Sequence, residues 1–85
     1  MKKLIIEDEQ EGLISFLGQR ITLFCASYFY TGELVGVNDT CVKLKDASIV
    51  YETGELTSGP WKDAQKLPHD WYVSISMIES FGLLK

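Results

Sequence analysis

One histidine is all this sequence has, and nothing suited to catalysis stands near it. His69 precedes Asp70 in a Pro-His-Asp segment, but spacing sets no nucleophile or metal ligand beside the pair, so His69 reads as a structural or solvent-facing side chain. Only two cysteines occur, Cys25 and Cys41, and they lack the spacing of metal ligands. Each falls in a strand-like run and reads as a small buried thiol; the alternative is a disulfide between them, which no other secretory feature accompanies. There is no glycine loop to cradle phosphate, no paired-acid motif and no Cys/His cluster. These absences leave a non-enzymatic protein that calls for no cofactor and no metal.

Long apolar runs are missing too. None approaches the ~18 residues of a membrane span. Leu4-Ile5-Ile6 is followed at once by Glu7-Asp8-Glu9, which is no signal-peptide core. A cytoplasmic protein with no membrane partner is the expectation. Lysine and arginine together number 8 against 12 acids, for a net charge of −4. They are scattered, whereas proteins that hold nucleic acid through many phosphates present a basic surface.

What is present suits one small globular domain spanning residues 1–85: 46% of the residues are hydrophobic and 24% charged, a balance unlike that of a disordered tail. The organising stretch is residues 28 to 47. Two runs rich in aromatic and β-branched residues flank the turn triplet Asn38-Asp39-Thr40. Gly32 sits inside the first run, where a glycine marks a bend or the close approach of another backbone. A long strand bent at Gly32 and turned at Asn38-Asp39 can serve two sheets at once, as the central hairpin of a small curved barrel.

Before this hairpin, residues 8 to 17 read as a short helix, with Asp8 as its cap, Leu13, Phe16 and Leu17 as its apolar stripe and Gly18 as its stop. A first strand spans Ile21 to Ala26 by alternation. After the hairpin's second strand, with a bulge expected near Asp46-Ala47-Ser48, residues 53 to 70 hold both prolines and no sustained period. They read as a long loop with a helical turn at Lys62 to Lys66, anchored by Trp61. Trp71 to Ile75 and Ile78 to Leu83 make the last two strands.

That order, with Gly32-x-Leu34 before the central turn, resembles the Sm-like family, which includes the Sm and LSm proteins and bacterial Hfq. The resemblance covers nearly the whole chain. Gly32-x-Leu34, Val37 and Leu44-Lys45-Asp46 match the family's first motif in a register closer to Hfq, and Ile75-Ser76-x-Ile78 looks like the Hfq-type joint between the last strands. The fold implied is mainly β: an N-terminal α-helix followed by a strongly bent five-stranded antiparallel open barrel. The resemblance also implies a homo-oligomeric ring, in which the fourth strand of one subunit pairs with the fifth of the next, and an association with RNA.

Departures from the family pattern bear on function. The acid and the asparagine that read uracil in Sm proteins correspond to Asn38 and Val42, and the residue that stacks on the base corresponds to Thr40. The second motif's arginine falls near Ser74; the lysine and histidine of the Hfq type fall at Tyr72 and Val73. Asn38, Thr40, Val42 and Ser74 are therefore the nucleic-acid positions by resemblance, yet the stacking ring, the bidentate amide and the cation that a uridine pocket needs are missing at the matching positions, Thr40, Val42 and Ser74. Residues 71 to 84 contain no Lys, Arg or Pro and one acid, Glu79. Exposed strand edges are normally blunted by such residues, so Trp71, Tyr72, Val73, Ile75, Ile78, Phe81 and Leu83 are expected at a subunit interface. Five to seven subunits are compatible with the sequence. Tyr28, Phe29 and Tyr30 must face both ways along a strand, one toward the core and another toward a protein surface or a base. Two functional classes stand: an RNA-associated ring without the usual uridine pocket, and a protein-interaction or scaffolding ring with no nucleic-acid ligand.

Overall fold

The hairpin around Asn38 carries the whole sheet. A computed structural model describes residues 3–85 and contains six strands: β1 (Arg20–Cys25), β2 (Phe29–Val37), β3 (Cys41–Glu52), β4 (Asp63–Lys66), β5 (Trp71–Ser74) and β6 (Ile78–Gly82). Every pairing is antiparallel, in the order β4-β3-β2-β1-β6, with β5 also on β3. Besides β2, β3 holds two further partners because it is long and broken in the middle. Its first part, Cys41 to Leu44, pairs with β5, and its last part, Ser48 to Glu52, pairs with β4.

The break is a bulge. Thr31 faces Ser48 while Glu33 faces Lys45, so Asp46 and Ala47 together oppose Gly32. Asp46 takes the left-handed conformation at φ 51°, and Arg20 Nη2 donates to its carbonyl at 3.0 Å. A bulge bends its strand and sharpens the local twist. Gly32 permits it: a Cβ there would lie 3.1 Å from Ala47 Cα and Leu44 Cβ, and 3.2 Å from the Lys45 carbonyl. The bulge near Asp46 falls where expected, and Gly32 is where another backbone approaches closely.

Inside the curve, Ile21, Leu23, Leu34, Val42, Leu44 and Ala47 are fully buried, with Leu13, Cys25 and Val73 nearly so. The outer face of the β1–β2–β3 region is also covered. Phe24 stacks on Phe29 with ring centroids 4.1 Å apart, and Val50 is buried opposite Phe29. Thr22 and Thr31 face each other in register and are buried, and neither hydroxyl has a hydrogen-bond partner among the described residues. Their β-branched stems suit the pleat, at the desolvation cost of a lone hydroxyl. Beyond β6, Leu84 shares a cavity of about 160 Å³ with Thr22 and Phe24, and Lys85 reaches the loop after β3.

Three expectations are corrected. No α-helix forms over residues 8 to 17; a single 3-10 turn, Leu13–Phe16, stands there. Asp8 Oδ1 accepts from the amides of Gln10 and Glu11, which commits that stretch to an Asx-type turn. Gly12 then leaves the helical path at φ 78°. Ten residues with a glycine inside are too few to offset helix nucleation without packing on every turn. Only Leu13 of the expected stripe is buried, and Leu17 is exposed. Second, Asp63–Lys66 is a strand rather than a helical turn, so the sheet has six strands, and residues 53 to 70 hold β4 within them. All four β4 residues are exposed, so no alternation announced it. Third, Val73 is in the core, not at a surface. Both cysteines are free, Cys25 buried and Cys41 half-buried. No helix among the described residues is long and apolar enough to cross a membrane.

Candidate nucleic-acid interface and subunit edges

The turn between β2 and β3 and the end of β5 meet at one place. Cys41 pairs with Ser74, and the Ile75 amide donates to the Thr40 carbonyl at 2.9 Å. Asp39, Thr40, Ser74, Ile75 and Ser76 line a shallow cavity there. Thus Thr40 and Ser74, far apart in sequence, share one surface with Asn38 beside them. The groups they present are small and neutral apart from Asp39.

Asn38 has no free acceptor to offer a base. Its Oδ1 accepts from the Thr40 backbone N–H at 2.8 Å, the Thr40 hydroxyl at 3.0 Å and the Cys41 backbone N–H at 2.9 Å, while the Asn38 backbone N–H donates to the Cys41 carbonyl at 3.0 Å. This is a side chain bonding its own turn, the reason asparagine is favoured in such positions. The Ser74 hydroxyl lies 2.9 Å from that of Ser76. Val42 is fully buried against Val73 across the β3–β5 pair; it is withdrawn from the candidate surface, because its side chain falls on the inner face of β3. The nearest cation along β3, Lys43, lies 3.7 Å from Asp70 and 5.7 Å from the centroid of the Tyr72 ring.

The Asn38 bonds make a stability prediction. Asn38→Ala removes three acceptor contacts and is expected to lower stability by about 1–2 kcal/mol, read as a shifted urea midpoint. Asn38→Asp, which keeps the acceptor, should recover most of it. An alanine variant as stable as the parent would mean that the turn does not depend on this side chain.

A second surface comes from the sheet's ends. β4, β5 and β6 each pair on one side only among the described residues. β4 carries Asp63 and Lys66 on its exposed run, the usual blunting of an edge. β5 carries no charge at all, and β6 carries Glu79 alone. Trp71, Tyr72, Phe81 and Leu83 are exposed, as is Met77 in the 3-10 turn Ile75–Met77 that joins the two strands, while Ile75 and Ile78 are half-buried against the core. Of the interface candidates, only Val73 is unavailable.

The aromatic triplet divides as its alternation requires. Tyr30 packs on the core, Phe29 stacks on the outer face, and Tyr28 is exposed and meets Tyr51 edge-on at 5.2 Å. Tyr28 and Tyr30 also line a cavity of about 160 Å³ with Trp71, Tyr72 and Met77, a grouping that sequence distance concealed. Cys25 lies at the same cavity. Burial pushes its thiol pKa up, and the Glu79 carboxylate adds to this, so it stays a protonated thiol and a poor nucleophile at neutral pH. The Tyr30 hydroxyl is likewise pushed up, chiefly by burial and then by Cys25, Tyr28 and Tyr51. His69 is exposed. Among the described residues no three His, Cys, Asp or Glu side chains gather as a metal site would require.

Comparison with known proteins returns no matching family model, no matching curated protein and no matching solved structure.

Proposed function

We propose that this chain is an Sm-like subunit that builds a homo-oligomeric ring associated with RNA, and that the ring does not hold uridine in the pocket usual for that family. The observation that supports the ring is the contrast between edges: β4 carries both an acid and a lysine in four residues, while β5 is uncharged, β6 has Glu79 alone, and the two are joined by a three-residue turn. Pairing β5 of one copy with β6 of the next covers both edges, and repeating that contact by rotation closes a ring. The hairpin bent at Gly32 and the short Ile75–Met77 joint support the Sm-like reading; the missing N-terminal helix is its departure from that pattern. Residues Asn38, Thr40 and Ser74 would then recur around the ring with no ring system and no cation, and with Asp39 as the only charge among them.

Binding of short oligo(U), oligo(A) and mixed RNA across a salt series tests this. Stacking is worth about 1–3 kcal/mol per base, and a bidentate amide a similar amount, so their joint absence removes several orders of magnitude per pocket at about tenfold per 1.4 kcal/mol. The expected result is no uridine preference and no submicromolar oligo(U) affinity at physiological salt. Tight oligo(U) binding abolished by Thr40→Ala or Ser74→Ala would overturn the pocket reading. A protein-interaction ring is the second reading, favoured by the net charge of −4 and by the exposed aromatics Tyr28, Trp71 and Tyr72. Absence of binding to every RNA at low salt selects it.

A further inference from the structure

The loop after β3 surrounds a charge. Lys85 Nζ donates to the carbonyls of Thr53 at 3.1 Å, Ser58 at 3.4 Å and Pro60 at 3.3 Å, and also to that of Glu55. It lies 4.5 Å from the centroid of the Trp61 ring. Four carbonyl dipoles and one aromatic face thus converge on a single ammonium.

We propose that residues 53–61 form a binding site for a primary ammonium group, with Lys85 as its resident ligand and a lysine of another protein as the ligand it takes when residues 83–85 are drawn away. Convergent carbonyl dipoles repel one another, so the loop keeps this shape only around a cation. It has little else to hold it: the one backbone hydrogen bond closing it among the described residues runs from the Lys62 amide to the Thr53 carbonyl at 3.3 Å. Gly54 and Gly59 take left-handed φ values of 68° and 71° at the loop's two turns, a conformation that costs glycine nothing. The ligand segment is just as loosely tied. Residues 83–85 make no backbone hydrogen bond among the described residues, Leu83 is exposed, and the segment is anchored by Leu84 and Lys85. A lysine ammonium brings three N–H donors and a charge suited to an aromatic face. A quaternary ammonium satisfies the ring but not the carbonyls; an alkali cation can be coordinated by the carbonyls but must shed its hydration shell and brings no aliphatic stem. Glu55 and the net charge of −4 favour a cationic arrival, Glu52 being paired with Lys62 at 3.3 Å.

The test uses Trp61 as reporter in the full chain carrying Trp71→Phe, and that single variant, not the parent, is the reference for every comparison, since Trp71 lies on the candidate subunit edge. Lys85→Ala is expected to raise acrylamide quenching of Trp61 by about twofold or more, as a loop loses its anchor. Lys85→Met, which keeps the aliphatic stem, should behave the same. Added n-butylammonium should reverse the change in the alanine variant at concentrations on the order of millimolar, since a free ligand lacks the effective concentration of a tethered one. Tetramethylammonium should not reverse it, and potassium should do so only at a far higher concentration than n-butylammonium. Nα-acetyl-lysine amide should act like n-butylammonium, and its ε-acetylated form should not. Unchanged quenching in both Lys85 variants would overturn the proposal, as would equal restoration by all cations or by none.

Discussion

Replacing Gly32 by valine is expected to cost about 2–4 kcal/mol, the upper range for overpacking a close-packed site. A Cβ alone would meet Ala47 Cα and Leu44 Cβ at 3.1 Å and the Lys45 carbonyl at 3.2 Å. All three of those atoms are backbone or bonded directly to it, so none can rotate away. Valine adds two methyl groups where Leu44 and Ala47 are already fully buried. Relief requires β2 and β3 to separate at the bulge, which is the point where β3 changes partner from β5 to β4. Against a total stability of about 5–15 kcal/mol for a domain, such a loss is a large fraction and should appear as a urea midpoint moved down at unchanged slope. Gly32→Ala should fall between parent and valine variant, because a single methyl needs a shift of only a few tenths of an ångström. A valine variant within about 0.5 kcal/mol of the parent, the usual range for an inert surface change, would mean that the strands are not held at the distance described.

What could be read from the residues alone follows from how local each cause is. The close approach at Gly32, the Asn38 turn and the bulge near Asp46 were legible because each depends on a neighbour or two: an absent Cβ, a side-chain amide bonding its own turn, a break in alternation. Residues 8 to 17 do not form the expected helix, for a reason that is also local. Asp8 is a good cap, but it bonds Gln10 and Glu11 in a turn that never propagates, and Gly12 lies outside helical space. β4 was hidden for the opposite reason. Asp63–Lys66 is exposed on every side chain, so its strand state comes from backbone pairing with Ser48 to Glu52 and leaves no pattern in the residues. Val73 was placed at an interface on composition; its register opposite Val42 turns it inward. The role of Lys85 had no signal at all, since backbone carbonyls carry no residue identity.

The meeting of Thr40 with Ser74 has a similar history. Each position was marked by its place in a family pattern, and their proximity depends on β5 pairing with the start of β3. That pairing is what leaves the other side of β5 bare, so the candidate RNA surface and the candidate subunit edge are two consequences of one strand placement.

Charging that edge should take the assembly apart. Light scattering of the parent protein at tens of micromolar is expected to give a mass of five to seven subunits, and Tyr72→Glu and Leu83→Lys are each expected to give the monomer mass. Both side chains are exposed in the single chain, so neither change disturbs the core. Tyr72 pairs in register with Lys43, and a glutamate there gains an opposite charge across the strands, which keeps β5 in place. Within an edge-to-edge contact the same charges lose water without a designed partner, at a cost of several kcal/mol. At about tenfold per 1.4 kcal/mol, each contact weakens by roughly two to three orders of magnitude. Every contact around a closed ring carries the same defect, so the ring cannot lose one contact and keep the rest. Circular dichroism and urea midpoints near those of the parent would show that the loss is one of assembly and not of folding. A parent protein that is monomeric at tens of micromolar would refute the ring, and variants that keep the parent's full mass would move the subunit contact away from β5 and β6.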